Sequence, residues 1–245
     1  MHLHRSVDNA RSQETHWTPC SMNQERPYGG ESRAVRSGRR RQAFLDAALE
    51  IFGTVGYRKA TVKSLCKQAQ LADRYFYESF ETMEDLLVAA YEEQVRELRG
   101  QMMAAFVSAP PTATTLELVE PCLRAVFGCV KDVRVARLVW LEVAGVSPRV
   151  DKLYIATMAE FASLLVTLAR TKEPHWNLPK ETERVLGITL AGGVSECIQQ
   201  WLVDNFRGDV DTLVEANLIV FEGVLQVLSR RTAPASSKAN ETSRA

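Results

Sequence analysis

Between Thr61 and Phe80 the segment TVKSLCKQAQLADRYFYESF gathers Asp73, Arg74, Tyr75 and Tyr77 within five positions. A guanidinium, two phenols and a carboxylate so close together form a hydrogen-bonding face without the base–nucleophile spacing of a catalytic site. Arginine reaches both acceptors of a guanine edge in the DNA major groove. A tyrosine offers a hydroxyl for phosphate or a ring for a base or thymine methyl. Tyr75 reads equally as such a contact or as a half-exposed packing residue. Asp73 is expected to orient Arg74 or to cap its helix. Lys63 is a candidate for the phosphate backbone, and Thr61 could offer its N–H to a phosphate as helix N-termini do. Arg41 closes the basic run Arg39-Arg40-Arg41, which is either the charged start of a helix or an arm touching phosphates or the minor groove.

Other chemistries are poorly served. Gly193-Val-Ser195-Glu-Cys197 has a faint likeness to a nucleophile elbow but lacks the second glycine and a preceding strand. Beyond the first residues the one histidine is His175, so a Ser-His-Asp arrangement has no supporting spacing. His2, His4, His16 and Cys20 match no zinc pattern. No phosphate loop or dinucleotide fingerprint occurs. The chain is therefore expected to be no enzyme and to need no cofactor or metal. Five scattered cysteines without a CxxC pair suit a reducing cytoplasm better than a disulfide framework.

The elements that must carry these groups are helical. Val62, Leu65, Cys66 and Ala69 fall on one face of a short helix, with Thr61 at its N-cap. Gln70 to Ala72 interrupt it, and a second helix restarts with Phe76 and Phe80 inward, leaving Arg74, Tyr75 and Tyr77 outward. This is a helix-turn-helix. Phe44, Ala47, Ala48, Ile51, Phe52 and Val55 give the preceding helix its apolar stripe, and Gly56 stops it. Thr82 and Asp85 make a capping box for a longer helix buried through Leu86, Leu87, Ala90, Tyr91, Val95 and Leu98. Pro110-Pro111 breaks the chain, after which five helices are expected near 114–130, 133–146, 148–171, 180–206 and 211–230. The division expected is a disordered tail over 1–38, a DNA-binding domain over 39–95, a helical domain over 96–231 and a second tail over 232–245.

Charge agrees locally rather than globally. The 245 residues carry 30 Lys+Arg against 30 Asp+Glu, a formal net charge of zero. From Arg39 to Phe80, however, eight bases face four acids, and from Glu81 to Glu93 five acids face no base. A basic front on a neutral protein suits a modular DNA reader. No apolar run suggests a membrane span, and the first residues lack the apolar segment of a secretory signal.

Over about residues 40–95, AALEIFGTVGYRKATVKSLCKQAQLADRYFYESFETMEDLL resembles the TetR-type transcriptional regulators. The likeness rests on the Ala-Ala…Phe…Gly-Tyr run, Thr61-Val62, and Tyr77-x-x-Phe80 followed by Glu84-x-Leu86-Leu87. It departs from the family at Gln70 (usually Gly), Ala72 (usually Ser or Thr), Arg74-Tyr75 (often Gly/Pro-Thr) and Met83 (commonly a phosphate-contacting Lys). The resemblance implies an all-α fold, an N-terminal three-helix helix-turn-helix DNA-binding domain followed by a C-terminal helical ligand-binding and dimerisation domain. It makes Tyr77 a phosphate contact and implies a homodimer on a palindromic site in double-stranded DNA, released by a small-molecule effector. The repressor role is preferred to activator. Phe127, Trp140, Glu142, Tyr154, Met158, Phe161 and Trp176 are candidates for the effector pocket, though each suits an ordinary core better and Glu142 also suits a structural salt bridge. Ala191, Gly192, Leu213, Asn217, Val220 and Val224 are expected at the dimer interface, where small residues admit a close backbone. The opposing reading is a helical protein-interaction module without DNA binding.

Overall fold

A computed structural model describes residues 32–232. Among them are nine α-helices and no strand: α1 (Arg33–Thr54), α2 (Val62–Ala69), α3 (Asp73–Ser79), α4 (Met83–Ser108), α5 (Thr115–Cys129), α6 (Val133–Trp140), α7 (Pro148–Lys172), α8 (Lys180–Val203) and α9 (Val210–Thr232), with a 3₁₀ turn at Tyr57–Lys59. The fold is all-α, as expected. His2, His4, His16, Cys20 and most of both expected tails lie outside the described residues.

One boundary is corrected. Helix α1 begins at Arg33, inside the stretch read as tail, because the Ser32 hydroxyl accepts from the Val35 N–H at 3.2 Å. Arg33, Ala34 and Arg36 are good helix formers, so a polar segment propagates a helix without an apolar face of its own. Helix α6 is also shorter than expected, ending at Trp140 rather than near residue 146.

Sequence-local chemistry sets most helix starts. Reciprocal side-chain to backbone capping pairs join Thr61 with Ser64, Thr82 with Asp85, and Thr114 with Glu117, each satisfying two N–H groups that the first helical turn leaves open. Gly56 ends α1 at φ 98°, in the region that favours glycine. The buried apolar side chains form one cluster from Phe44 in α1 to Phe221 in α9.

The front of the molecule is fastened to the rest at α6. Gly53 lies against the backbone of Arg134, where an added Cβ would come within 2.5 Å of the Arg134 Cα. Arg134 also pairs with Glu50 of α1 at 2.8 Å and with Asp132 at 2.6 Å. Arg149 at the start of α7 pairs with Asp85 of α4 at 2.7 Å, and holds that carboxyl below its ordinary range together with the Thr82 hydroxyl. Helices α7 and α9 reach the length and mean hydropathy of a membrane span; each lays buried residues on the core, among them Val150 and Phe161 in α7 and Val214 and Phe221 in α9.

Candidate nucleic-acid interface and effector cavity

Helix α2 opens with the Thr61 hydroxyl accepting from the Ser64 N–H at 3.1 Å while the Thr61 N–H donates to the Ser64 hydroxyl at 3.0 Å. The Thr61 N–H is thus already engaged within its own helix. Ser64 was legible as the third residue after a threonine, a weaker form of the Glu/Gln capping signal. The turn follows at Gln70, which takes φ 55°, ψ 39°, while the Leu71 N–H donates to the Cys66 carbonyl at 3.0 Å. A glutamine here accepts a left-handed conformation that glycine adopts freely.

Helix α3 begins after Ala72 with no side-chain cap. The expected roles of Asp73 are corrected: it neither caps the helix nor bonds Arg74. It sits in the first helical turn, where its charge suits the helix dipole, beside the buried thiol of Cys66. Burial, with Asp73 second, pushes that thiol up to about 11. Phe76 and Phe80 point inward and meet Phe44 edge-on at 5.5 and 6.4 Å, which fixes the rotation of α3. Asp73, Arg74 and Tyr77 are therefore exposed, Tyr75 is half-buried and Tyr77 keeps 63% of its surface. Lys63 stands exposed on α2.

The arginines of α1 run alongside this helix. The guanidinium of Arg40 lies 4.6 Å from the centre of the Tyr75 ring and that of Arg74 the same distance away. Arg74 Nη2 also donates to the Tyr75 hydroxyl at 2.7 Å. Arg40 pairs with Glu78 at 3.4 Å, and Arg41 stacks over Phe80 at 4.4 Å. The basic run is thus helical and faces the edge of α3. In this state Arg74 is folded onto its neighbour, with one Nη2 donor engaged by the Tyr75 hydroxyl and the remaining guanidinium donors not used by that bond.

Behind this domain lies a cavity of about 140 Å³ between α4, α5, α7, α8 and α9. Of the residues named as effector-pocket candidates, Trp140, Met158, Phe161 and Trp176 line it. Phe127, Glu142 and Tyr154 are not among its lining residues. Phe127 is fully buried in the general core. The Glu142 carboxylate instead accepts from the Tyr57 backbone N–H at 2.8 Å and from Arg137 at 3.0 Å, tying the loop after α6 to the turn before α2. Tyr154 shares a 3.1 Å hydrogen bond with the Ser195 hydroxyl, which also accepts from Trp140 Nε1 at 3.1 Å.

Ser195 is a lining residue that the sequence reading weighed only as a nucleophile. It sits in the middle of α8, buried, with no strand before it. Of the expected interface residues, Ala191 and Val224 line the cavity. Gly192 and Val220 face outward, Leu213 is half-buried, and Asn217 is buried with its amide donating to the Leu213 carbonyl at 2.8 Å. Exposed Val185, Ile188, Ile219 and Val227 extend the outward apolar surface of α8 and α9.

A helix-turn-helix with an exposed polar second helix, backed by a helical domain with an apolar cavity, defines a DNA-binding transcriptional regulator. Residues 44–90 match the family model of the bacterial regulatory proteins of the tetR family, so the helix-turn-helix segment is of the tetR type. Among solved structures the chain is similar to the fatty acid degradation regulator FadR of Bacillus halodurans, at 19% identity over 74% of this chain and 93% of that one, TM-score 0.65. FadR of Bacillus subtilis, solved in complex with stearoyl-CoA, matches at 19% over 73% and 96%, TM-score 0.64. A putative transcriptional regulator of Pseudomonas aeruginosa PAO1 matches at 16% over 82% and 100%, TM-score 0.66. At these identities the likeness is one of fold. No curated protein sequence matches the chain.

Proposed function

We propose that the protein is a repressor that binds a palindromic operator as a homodimer through α3 and releases it when a small, largely apolar molecule fills the cavity. The observation that carries the reading is the outward face of α3, rotated into place by Phe76 and Phe80 and flanked by the arginines of α1. In this reading Arg74 and Tyr75 meet bases, Tyr77, Lys63 and Arg41 meet the phosphate backbone, and Asp73 lies at the groove edge. Because the Thr61 N–H is taken by Ser64, α2 approaches phosphate through Lys63. The working division is a DNA-binding unit over 39–95 and an effector and dimerisation unit over 96–231, acting in the cytoplasm where the DNA lies. No catalytic step belongs to it.

Dimerisation is supported by the outward apolar surface around Val185, Ile188, Val220 and Val227 together with open Gly192, a surface suited to a two-fold mate. The effector's influence has a short route. Trp140 touches the cavity and bonds Ser195, and two residues later Glu142 holds the turn that precedes α2. A ligand that favours one setting of α6 shifts the spacing of the two recognition helices by its differential affinity. The apolar slot suits a long hydrocarbon chain, in keeping with the stearoyl-CoA held by the Bacillus subtilis regulator.

The test is selection of a binding site from random duplexes, followed by fluorescence anisotropy. A palindrome bound by two protomers, with affinity falling steeply as salt rises, is expected. A monomer with no preferred sequence overturns the reading.

A further inference from the structure

The cavity is long as well as apolar. On α8 alone its lining runs from Glu183 to Ile198, which at the rise of an α-helix is about 22 Å. The end nearest the DNA-binding domain is bounded by Trp140 and Ser195, the other by Thr115, Trp176 and Glu183. Nearly every polar side-chain atom at these ends is taken. Ser195 has Trp140 and Tyr154, the Thr115 hydroxyl donates to Glu173 at 2.9 Å, and Glu183 is held by Arg170.

Trp176 is the exception among the described lining residues: its Nε1 is buried without a hydrogen-bond partner. An indole N–H is a donor only, and a buried donor left unpaired is disfavoured enough that it calls for an acceptor. No cationic side chain lines the slot and Glu183 is its one carboxylate, so a charged head group would enter desolvated and uncompensated.

Resting on the effector reading above, we propose that the effector is an elongated apolar molecule ending in a neutral carbonyl, such as an ester, thioester or ketone. That carbonyl accepts from Trp176 Nε1, and the hydrocarbon body lies along α8 toward Trp140.

The experiment is displacement of the uncharged fluorophore N-phenyl-1-naphthylamine from the full chain by decane, methyl decanoate, decanoate at pH 8 and decanoyl-CoA. Methyl decanoate is expected to bind about fivefold more tightly than decane, the scale of one net hydrogen bond, and more tightly than decanoate. In Trp176→Phe, which keeps a ring and removes the donor, the ester-to-alkane ratio should fall to near one. Decanoyl-CoA competing as well as the ester identifies a thioester source, and failing to compete identifies a free ester or ketone; both fit the carbonyl assignment. Equal binding of ester and alkane, tighter binding of decanoate, or an unchanged ratio in Trp176→Phe overturns it. Leu190→Trp and Ala191→Phe fill the slot and should abolish displaceable fluorescence; fluorescence retained in both overturns the cavity as the site. Operator binding measured separately on the same protein distinguishes failure of this assignment from failure of the regulator reading.

Discussion

Replacing Gly53 by alanine tests the fastening of the DNA-binding helices to the rest of the chain. The new Cβ would lie 2.5 Å from Arg134 Cα and Cβ and 2.8 Å from its carbonyl oxygen. Carbon contacts are most favourable at about 3.5–4.0 Å, so α6 must retreat by roughly 1 Å. Overpacking of this kind costs ~1–3 kcal/mol, and here two of the three opposing atoms are backbone, which cannot rotate away. The gain in helix propensity on leaving glycine is at most about 1 kcal/mol, and less at the next-to-last residue of α1. The net expectation is a loss of about 2 kcal/mol, or a fall in Tm of roughly 4–8 °C for a chain of this size. Gly100 in α4 is the internal control, because its added Cβ meets nothing within 4 Å. Gly100→Ala should raise stability by about 1 kcal/mol. Thermal unfolding followed by circular dichroism reads both. Should Gly53→Ala melt at or above the parent temperature, α1 and α6 do not touch through their backbones, and the route from cavity to recognition helix loses its base.

Arg74→Ala should reduce discrimination between the selected operator and a single-base variant by roughly tenfold, while Tyr77→Phe weakens binding to all sequences alike; anisotropy on both duplexes separates the two effects. Glu142→Ala leaves the Tyr57 N–H and Arg137 without their acceptor and should cost about 1–3 kcal/mol in denaturant unfolding; an unchanged midpoint would deny the clasp between α6 and the turn before α2. Gln70→Gly should add about 1 kcal/mol by relieving a left-handed glutamine, read as a higher melting temperature. For Cys66 burial raises the folded thiol to about 11 from its ordinary 9.0. Its contribution is therefore fully present below pH 9 and lost as pH rises toward 11. Cys66→Ala should flatten the alkaline fall in stability, and an identical pH slope in the variant would contradict the burial argument.

Much of the exposed face of α3 was legible because its determinants are close in sequence. Thr61, and Thr82 with Asp85, mark helix starts through bonds three residues long, and Phe76 and Phe80 mark an inward face through their spacing. Asp73 was misread because a carboxylate one place inside a helix resembles a cap in sequence, and only the backbone shows that Ala72 holds the cap position. In α8 the neighbours Ala191 and Gly192 were assigned together to one interface. They differ by about 100° around the helix axis, and the structure turns Ala191 to the cavity and Gly192 outward. Glu142 read both as a pocket residue and as one member of a salt bridge; the bridge to Arg137 is present, while an apolar neighbourhood looks the same in sequence whether it surrounds a ligand or a domain junction.

The sequence by itself determined that the chain is helical, where most helices begin, and which residues of α3 avoid the core, since these follow from capping and periodicity over a few positions. The tertiary structure alone decided that Glu142 clasps Tyr57 across 85 residues, that Ser195 joins Trp140 and Tyr154, and that Trp176 is left with an unmatched donor. Those facts depend on which helix faces lie opposite one another. Periodicity states that a face is buried, and only packing states against what.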